Sequence, residues 1–102
     1  MLPRYFRRVI ADPRADEFDA WGACQMFFEI DENGICTRQV ERYQNGFILK
    51  YDSSHQQDEY GGISDPANDL SDVWEFYISA DEFEEAWRDD AINFKAPRPT
   101  AG

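Results

Sequence analysis

Two Asn-Gly pairs, Asn33-Gly34 and Asn45-Gly46, limit the possible folds of this chain more than any other feature. Each sits between runs rich in aromatic and β-branched residues, and Asn-Gly tolerates the positive φ angles of a tight hairpin turn. Strands are therefore expected at 20–31, 35–43 and 47–52, joined as a three-stranded antiparallel meander. With two-residue loops at both turns, Glu29 falls opposite Arg38 and Glu41 opposite Lys50. Two opposite-charge pairs arising from one assumption favour it, each worth about 0.2–1 kcal/mol. A three-residue loop with a bulge would shift the pairing by one and lose both matches.

Arg4–Ile10 reads as a further strand, with Tyr5, Phe6, Val9 and Ile10 apolar; Asp12-Pro13 ends it, and a polar loop follows. Residues 53–72 form a long polar connection containing Gly61-Gly62 and Pro66. A turn is expected at 69–72 and a strand at 74–78. Ser79-Ala80-Asp81-Glu82 is a capping box: the Ser79 hydroxyl accepts from the Glu82 amide, and Glu82 reaches back. Ile78 and Phe83 make the matching hydrophobic staple. Phe83, Ala86 and Trp87 supply the buried stripe of a helix over 80–91, and Glu84 precedes Arg88 in the favourable i,i+4 order. The fold class is α+β: an antiparallel sheet, a meander of about four or five strands, packed by one C-terminal α-helix. It forms a single domain over 1–95 with a flexible tail over 96–102.

The chain has 102 residues, enough for one domain, and 42% apolar with 16% aromatic residues supply a core. No apolar run approaches the ~20 residues of a membrane helix, and no signal-peptide core follows the N-terminus, so neither a membrane partner nor secretion is expected. Twenty-one acids against ten Lys and Arg give a net charge of −11, the wrong sign for binding nucleic-acid phosphates. The imbalance is local. Residues 52–90 carry thirteen acids against Arg88 alone, whereas Arg4, Arg7, Arg8 and Arg14 face only Asp12 in the first fourteen. Such a field speeds encounter with a basic partner, and it also serves solubility. Cys24 and Cys36 make no disulfide framework and have no histidine at metal spacing, so they read as reduced, partly buried thiols of a cytoplasmic protein.

No residue pattern signals catalysis, and neither a cofactor nor a metal is expected. The lone histidine, His55, lies in a polar stretch with nothing to position a nucleophile beside it, and reads as a solvated loop side chain. Asp31-Glu32-Asn33-Gly34 lacks the alternating oxygens and terminal Glu of a calcium loop. Gly61-Gly62 lacks the lysine and strand–helix context of a phosphate cradle. What exceeds an ordinary solvated charged face is a rim of carboxylates interleaved with aromatic residues: Asp58, Glu59, Tyr60, Asp65, Asp72 and Glu75 are the expected partner-contact residues.

Three segments carry a family likeness: Phe27-Phe28-Glu29-Ile30-Asp31, then Arg38-Gln39-Val40-Glu41 running to Asn45-Gly46, and finally Ile78-Ser79-Ala80-Asp81-Glu82-Phe83-Glu84-Glu85-Ala86-Trp87. With Glu59-Tyr60-Gly61-Gly62 between them, the chain over roughly residues 4–90 resembles a family of small acidic bacterial proteins of unknown function, similar to immunity proteins. Phe27 stands where that family commonly has Tyr, and the stretch from Gly62 to Ile78 is shorter than usual. The resemblance implies a role and no catalytic residue: a partner that neutralises a bacterial toxin.

Together these features lead to an immunity- or antitoxin-like inhibitor. Its acidic surface would cover a basic toxin domain, such as a nuclease or another toxin directed at nucleic acid or translation, by surface complementarity. Two other classes remain. A self-associating module would pair an exposed edge strand such as Arg4–Ile10 with its twin. A small enzyme would use the acids of the 53–72 loop around His55.

Overall fold

Both Asn-Gly pairs turn the chain back on itself in the computed structural model, which describes residues 3–14, 16–63 and 77–93. Each turn is a three-residue loop. The Asp31 amide donates to the Ile35 carbonyl at 2.9 Å around residues 32–34, and the Tyr43 amide donates to the Phe47 carbonyl at 2.8 Å around 44–46. Gly34 and Gly46 take the last loop position at φ +80° and +97°, a conformation that a β-carbon makes costly.

The turns connect β2 (Cys24–Ile30), β3 (Cys36–Tyr43) and β4 (Ile48–Asp52), and β1 (Arg4–Ile10) runs beside β2. A two-stranded ribbon follows, β5 (Gln57–Asp58) with β6 (Gly61–Gly62). Then β7 (Tyr77–Ile78) returns to β1, and α1 (Ala80–Arg88) follows. The main sheet has the order β4-β3-β2-β1-β7 and is antiparallel at every pairing. This is the α+β meander with one C-terminal helix that the sequence predicts. The remainder of the strand expected at 74–78, the turn at 69–72 and the tail at 96–102 lie outside the described residues.

The loops alter the pairing in two different ways. Across β3 and β4 the register moves by one: Glu41 lies opposite Leu49, and Lys50 opposite Val40. The expected Glu41–Lys50 pair does not form. Across β2 and β3 the same shift puts Ile30 opposite Cys36, but the ladder slips between Glu29 and Ile30 and leaves Thr37 unpaired. That slip restores Glu29 to Arg38. The first strand of the meander begins at Cys24 rather than residue 20, because Asp19–Trp21 forms a 3-10 turn. Gly22 then passes so close to Gln44 that a β-carbon there would lie 2.6 Å from Oε1.

One face of the sheet carries Phe27 and Val40 and receives Phe83 and Ala86 of α1, with Tyr5, Ile48, Ile78 and Trp87 around them. Ser79 caps the helix, accepting from the Glu82 amide at 3.1 Å. The helix ends at Arg88 because Asp89 is already extended, three residues short of expectation. Two side-chain pairings also differ from those read in the sequence. Glu82 reaches Arg7 at 3.3 Å, and Glu84 is drawn to Arg38 at 2.6 Å instead of to Arg88. The other face buries Phe6, Phe28, Ile30, Leu49 and Tyr51, with the free thiols of Cys24 and Cys36 among them. Burial pushes both thiols up to about 12, which keeps them protonated and unreactive.

The β4 edge is occupied by the chain's own backbone and one side chain. Ile92 N–H donates to the Ile48 carbonyl at 2.9 Å, and Asn93 brackets Lys50 by accepting from its N–H at 2.8 Å and donating to its C=O at 3.0 Å. Asp52 exchanges both backbone bonds with His55. Such capping keeps an edge strand from templating another chain. No helix among the described residues is long and apolar enough to cross a membrane.

Candidate functional site

Three loops converge on one end of the second face. They are the segment before β2, the hairpin tip between β3 and β4, and the tip of the β5–β6 ribbon. The Asp16 carboxylate accepts from the Phe18 amide at 2.8 Å and starts the turn that presents Phe18 and Trp21. The three-residue loop after Tyr43 projects Phe47, which is 42% exposed. The ribbon contributes Tyr60. The four rings touch: Phe18 lies 4.8 Å from Trp21 and 5.4 Å from Tyr60, and Trp21 lies 5.1 Å from Phe47 and 5.7 Å from Tyr60. Trp21 also meets the buried Tyr43 edge-on at 5.0 Å.

Arg14 ties these loops together. Its guanidinium donates to the Tyr60 carbonyl, to the Tyr43 hydroxyl at 3.3 Å and to Asp16 at 3.0 Å. It also lies 4.8 Å from the Phe18 ring centroid and 5.8 Å from that of Trp21. Its side chain is only 20% exposed, so this cation of the cluster is turned inward. Around the rings, Glu17, Asp19 and Glu59 are exposed and make no ion pair among the described residues. The surface is thus aromatic at its centre and negative at its border.

Behind it runs a chain of buried polar groups. Tyr43 donates to Glu41, and the Gln39 amide donates to Glu41 at 2.8 Å and to the Gly62 carbonyl at 3.2 Å. Among the described residues the Glu41 side chain finds no cation at contact distance, and desolvation lifts its pKa above the ordinary carboxylate range against the hydrogen bonds from Tyr43 and Gln39. Burial also raises the Tyr43 hydroxyl, helped by the neighbouring Glu41.

The expected contact residues divide. Glu59 and Tyr60 belong to this surface. Asp65, Asp72 and Glu75 lie outside the described residues. Asp58 points inward at 16% exposure. It accepts from Tyr51 at 2.9 Å, from the Tyr60 amide at 2.9 Å, from Asn93 at 2.7 Å, and faces His55 Nε2 at 2.7 Å. Burial would raise its pKa, but the bonds from His55, Asn93, the Tyr60 amide and Tyr51 outweigh that and hold it at about 2. Asp58 therefore sets the position of Tyr60 and offers little surface to a partner.

His55 is likewise not the solvated side chain expected from the sequence. Its ring stacks on Tyr51 at 5.8 Å while Nε2 engages Asp58. The neighbouring Ser54 hydroxyl donates to Asp52 instead. At the first hairpin, Asp31 Oδ1 accepts from the Asn33 and Ile35 amides, so this carboxylate serves the turn. Among the described residues no group of three potential metal ligands comes together.

Sequence reasoning missed Phe18, Trp21, Phe47 and Arg14. Trp21 and Phe47 fell inside the strands expected at 20–31 and 47–52, and Phe18 and Arg14 in the polar loop between strands, where no local pattern joins them. Comparison with known proteins returns no match: no family model, no curated protein and no solved structure aligns with this chain.

Proposed function

We propose that this protein is a binding inhibitor of the immunity or antitoxin type, which neutralises a basic bacterial toxin domain by covering it with an acidic surface. The observation that carries this reading is how the charges are divided between fold and surface. Arg7, Arg14, Arg38 and Arg42 are each drawn into an ion pair with the protein's own carboxylates. Asp12, Glu17, Asp19, Glu59, Asp81, Glu85 and Asp90 are exposed and make no ion pair among the described residues. Arg88 is an exposed exception at the end of α1, but the excess at the surface is negative, which attracts a basic partner from a distance and leaves attachment to complementarity. The sequence likeness to immunity proteins supports the same role, and two buried, reduced thiols are compatible with the cytoplasm. A nuclease or a translation-directed toxin has the basic surface that such an inhibitor fits.

The self-associating alternative has less support, because β1 pairs with β7 at Tyr5 and Phe6 and the β4 edge is capped. The enzymatic alternative also weakens, since Asp58 and His55 are engaged with each other and with the surrounding core.

The test is capture on the immobilised full chain from native bacterial lysate at low salt. The expected result is one stoichiometric basic protein, released by raising the salt, whose toxicity on expression is suppressed by this chain. Retention of no basic protein overturns the reading.

A further inference from the structure

Two acidic surfaces sit on opposite faces of the sheet, and they differ in what surrounds their aromatic side chains. On the helix side, Phe83 is fully buried, and Trp87 already carries the protein's own cations: the Arg38 guanidinium at 5.1 Å and the Lys50 ammonium at 5.2 Å from its ring centroid. The acids there, Asp81, Glu85 and Asp90, border no unoccupied aromatic group among the described residues. At the loop end, Phe18, Trp21, Phe47 and Tyr60 form a continuous cluster that reaches solvent. Arg14 lies 4.8 Å from the Phe18 and 5.8 Å from the Trp21 ring centroid, turned inward and shared among Asp16, Tyr43 and the Tyr60 carbonyl, while among the described residues no cation lies over Phe47 or Tyr60.

We infer that the Phe18–Trp21–Phe47–Tyr60 platform is the docking surface, and that its occupant is an arginine- or lysine-bearing loop of a basic protein. The inference rests on the inhibitor reading above and adds where the partner binds and by what chemistry. Charge complementarity selects the occupant. Glu17, Asp19 and Glu59 ring the platform with no paired cation among the described residues, so an apolar or acidic partner would bury them unpaired at a cost. A guanidinium or ammonium group meets both requirements, because the π-rich centre and the carboxylate border each favour positive charge. Trp, Tyr and Arg are also the residue types that dominate interface energetics. Arg14 is the positioning residue: it draws Phe18, Trp21 and Tyr60 into one surface without itself facing the partner.

The experiment is an NMR titration of the isotopically labelled full chain with acetylated hexa-arginine amide. The expected result is a saturable set of shifts at the Trp21 indole and the Phe47 and Glu59 amides. Binding should weaken about tenfold in Phe47→Ser, and by a similar factor in the triple variant Glu17→Gln, Asp19→Asn, Glu59→Gln. The triple variant changes exposed side chains only, which keeps the test informative if Phe47→Ser disturbs the hairpin. Shifts centred on Asp81 and Glu85 overturn the platform while leaving the basic-partner reading intact, as do platform shifts that neither variant weakens. No saturable shift anywhere overturns both.

Discussion

Glu41 lies opposite Leu49 in the β3–β4 ladder, which puts its carboxylate on the other face of the sheet from the Lys50 ammonium. Each side chain then finds its own setting. Lys50 rests over the Trp87 ring. Glu41 is only 8% exposed and depends on Tyr43 and Gln39 for hydrogen bonds. A single-residue change in loop length therefore produces a buried, raised-pKa carboxylate directly behind the aromatic platform.

The pH dependence of stability follows from that burial. Desolvation raises the folded-state pKa of Glu41 above its unfolded value. Its contribution is fully present below the unfolded value of about 4.3 and is lost as pH rises through the folded one. Glu41→Gln removes this titration while keeping an acceptor for one of the two donors. Urea midpoints measured from mildly acid to neutral pH should fall less steeply in the variant than in the wild type. Parallel curves would show that Glu41 does not titrate in this range.

Asp58 has the opposite sign. Its folded pKa is held at about 2, so its stabilisation is present above the unfolded value of about 3.9 and is lost as pH falls towards 2. Asp58→Asn keeps the size of the side chain but cannot serve His55, Asn93, Tyr51 and the Tyr60 amide together. The expected loss at neutral pH is about 1–3 kcal/mol. The gap between wild type and variant should narrow as acid protonates the wild-type carboxylate, a trend that denaturant melts across that range will reveal. Association with a basic partner should weaken through displacement of Tyr60, with its salt dependence nearly unchanged.

What was legible in the sequence follows the reach of each signal. The capping Ser79 and the Phe83–Ala86 stripe act within one helix, so sequence spacing was enough to locate it. The Asn-Gly pairs located both hairpins for the same reason. Loop length was a different matter, since Asn-Gly serves as the centre of a two-residue turn or the end of a three-residue one. Glu29–Arg38 survived the longer loop only because the ladder slips at Thr37, whose hydroxyl bonds the Glu29 carboxylate at 2.8 Å. Long-range partners carried no local trace. Nothing near Arg14 announces Tyr60, and nothing near Asp58 announces Asn93, so the platform and the polar node behind it emerged only from the folded chain.

Arg38 is the clearest case of one cation serving three elements. Its guanidinium meets Glu29 of β2 through Nε at 2.8 Å and Nη2 at 2.6 Å, and Glu84 of α1 through Nη1 at 3.1 Å and Nη2 at 2.6 Å. It also lies over Phe83 at 4.9 Å. A lysine keeps the charge but not the planar fork, so Arg38→Lys should cost about 1–2 kcal/mol. Arg38→Ala, which leaves two carboxylates close together, should cost about 3 kcal/mol. Adding Glu29→Gln to Arg38→Ala should recover part of that loss. Equal melting points for the lysine variant and the wild type would show that charge alone holds the helix to the sheet.

Asn93 takes the place of a neighbouring strand beside β4. Its amide oxygen accepts from Lys50 N–H at 2.8 Å, and its amide nitrogen donates to Lys50 C=O at 3.0 Å and to Asp58 at 2.7 Å. Asn93→Ala therefore uncovers main-chain groups at the sheet edge and also removes one of the bonds that fix Asp58. Lys50 N–H and C=O are the groups that lose their cover, because Asp52 keeps both backbone bonds to His55 and the Ile48 carbonyl keeps Ile92 N–H. The Lys50 amide should exchange with solvent faster in Asn93→Ala, while the Asp52 amide, still bonded to His55, should stay as protected as in the wild type. Unchanged exchange at Lys50 would mean that the Asn93 side chain is not what protects β4. Faster exchange at Asp52 as well would mean that Asn93, through the Asp58 carboxylate it shares with His55, also holds the 52–55 turn in place.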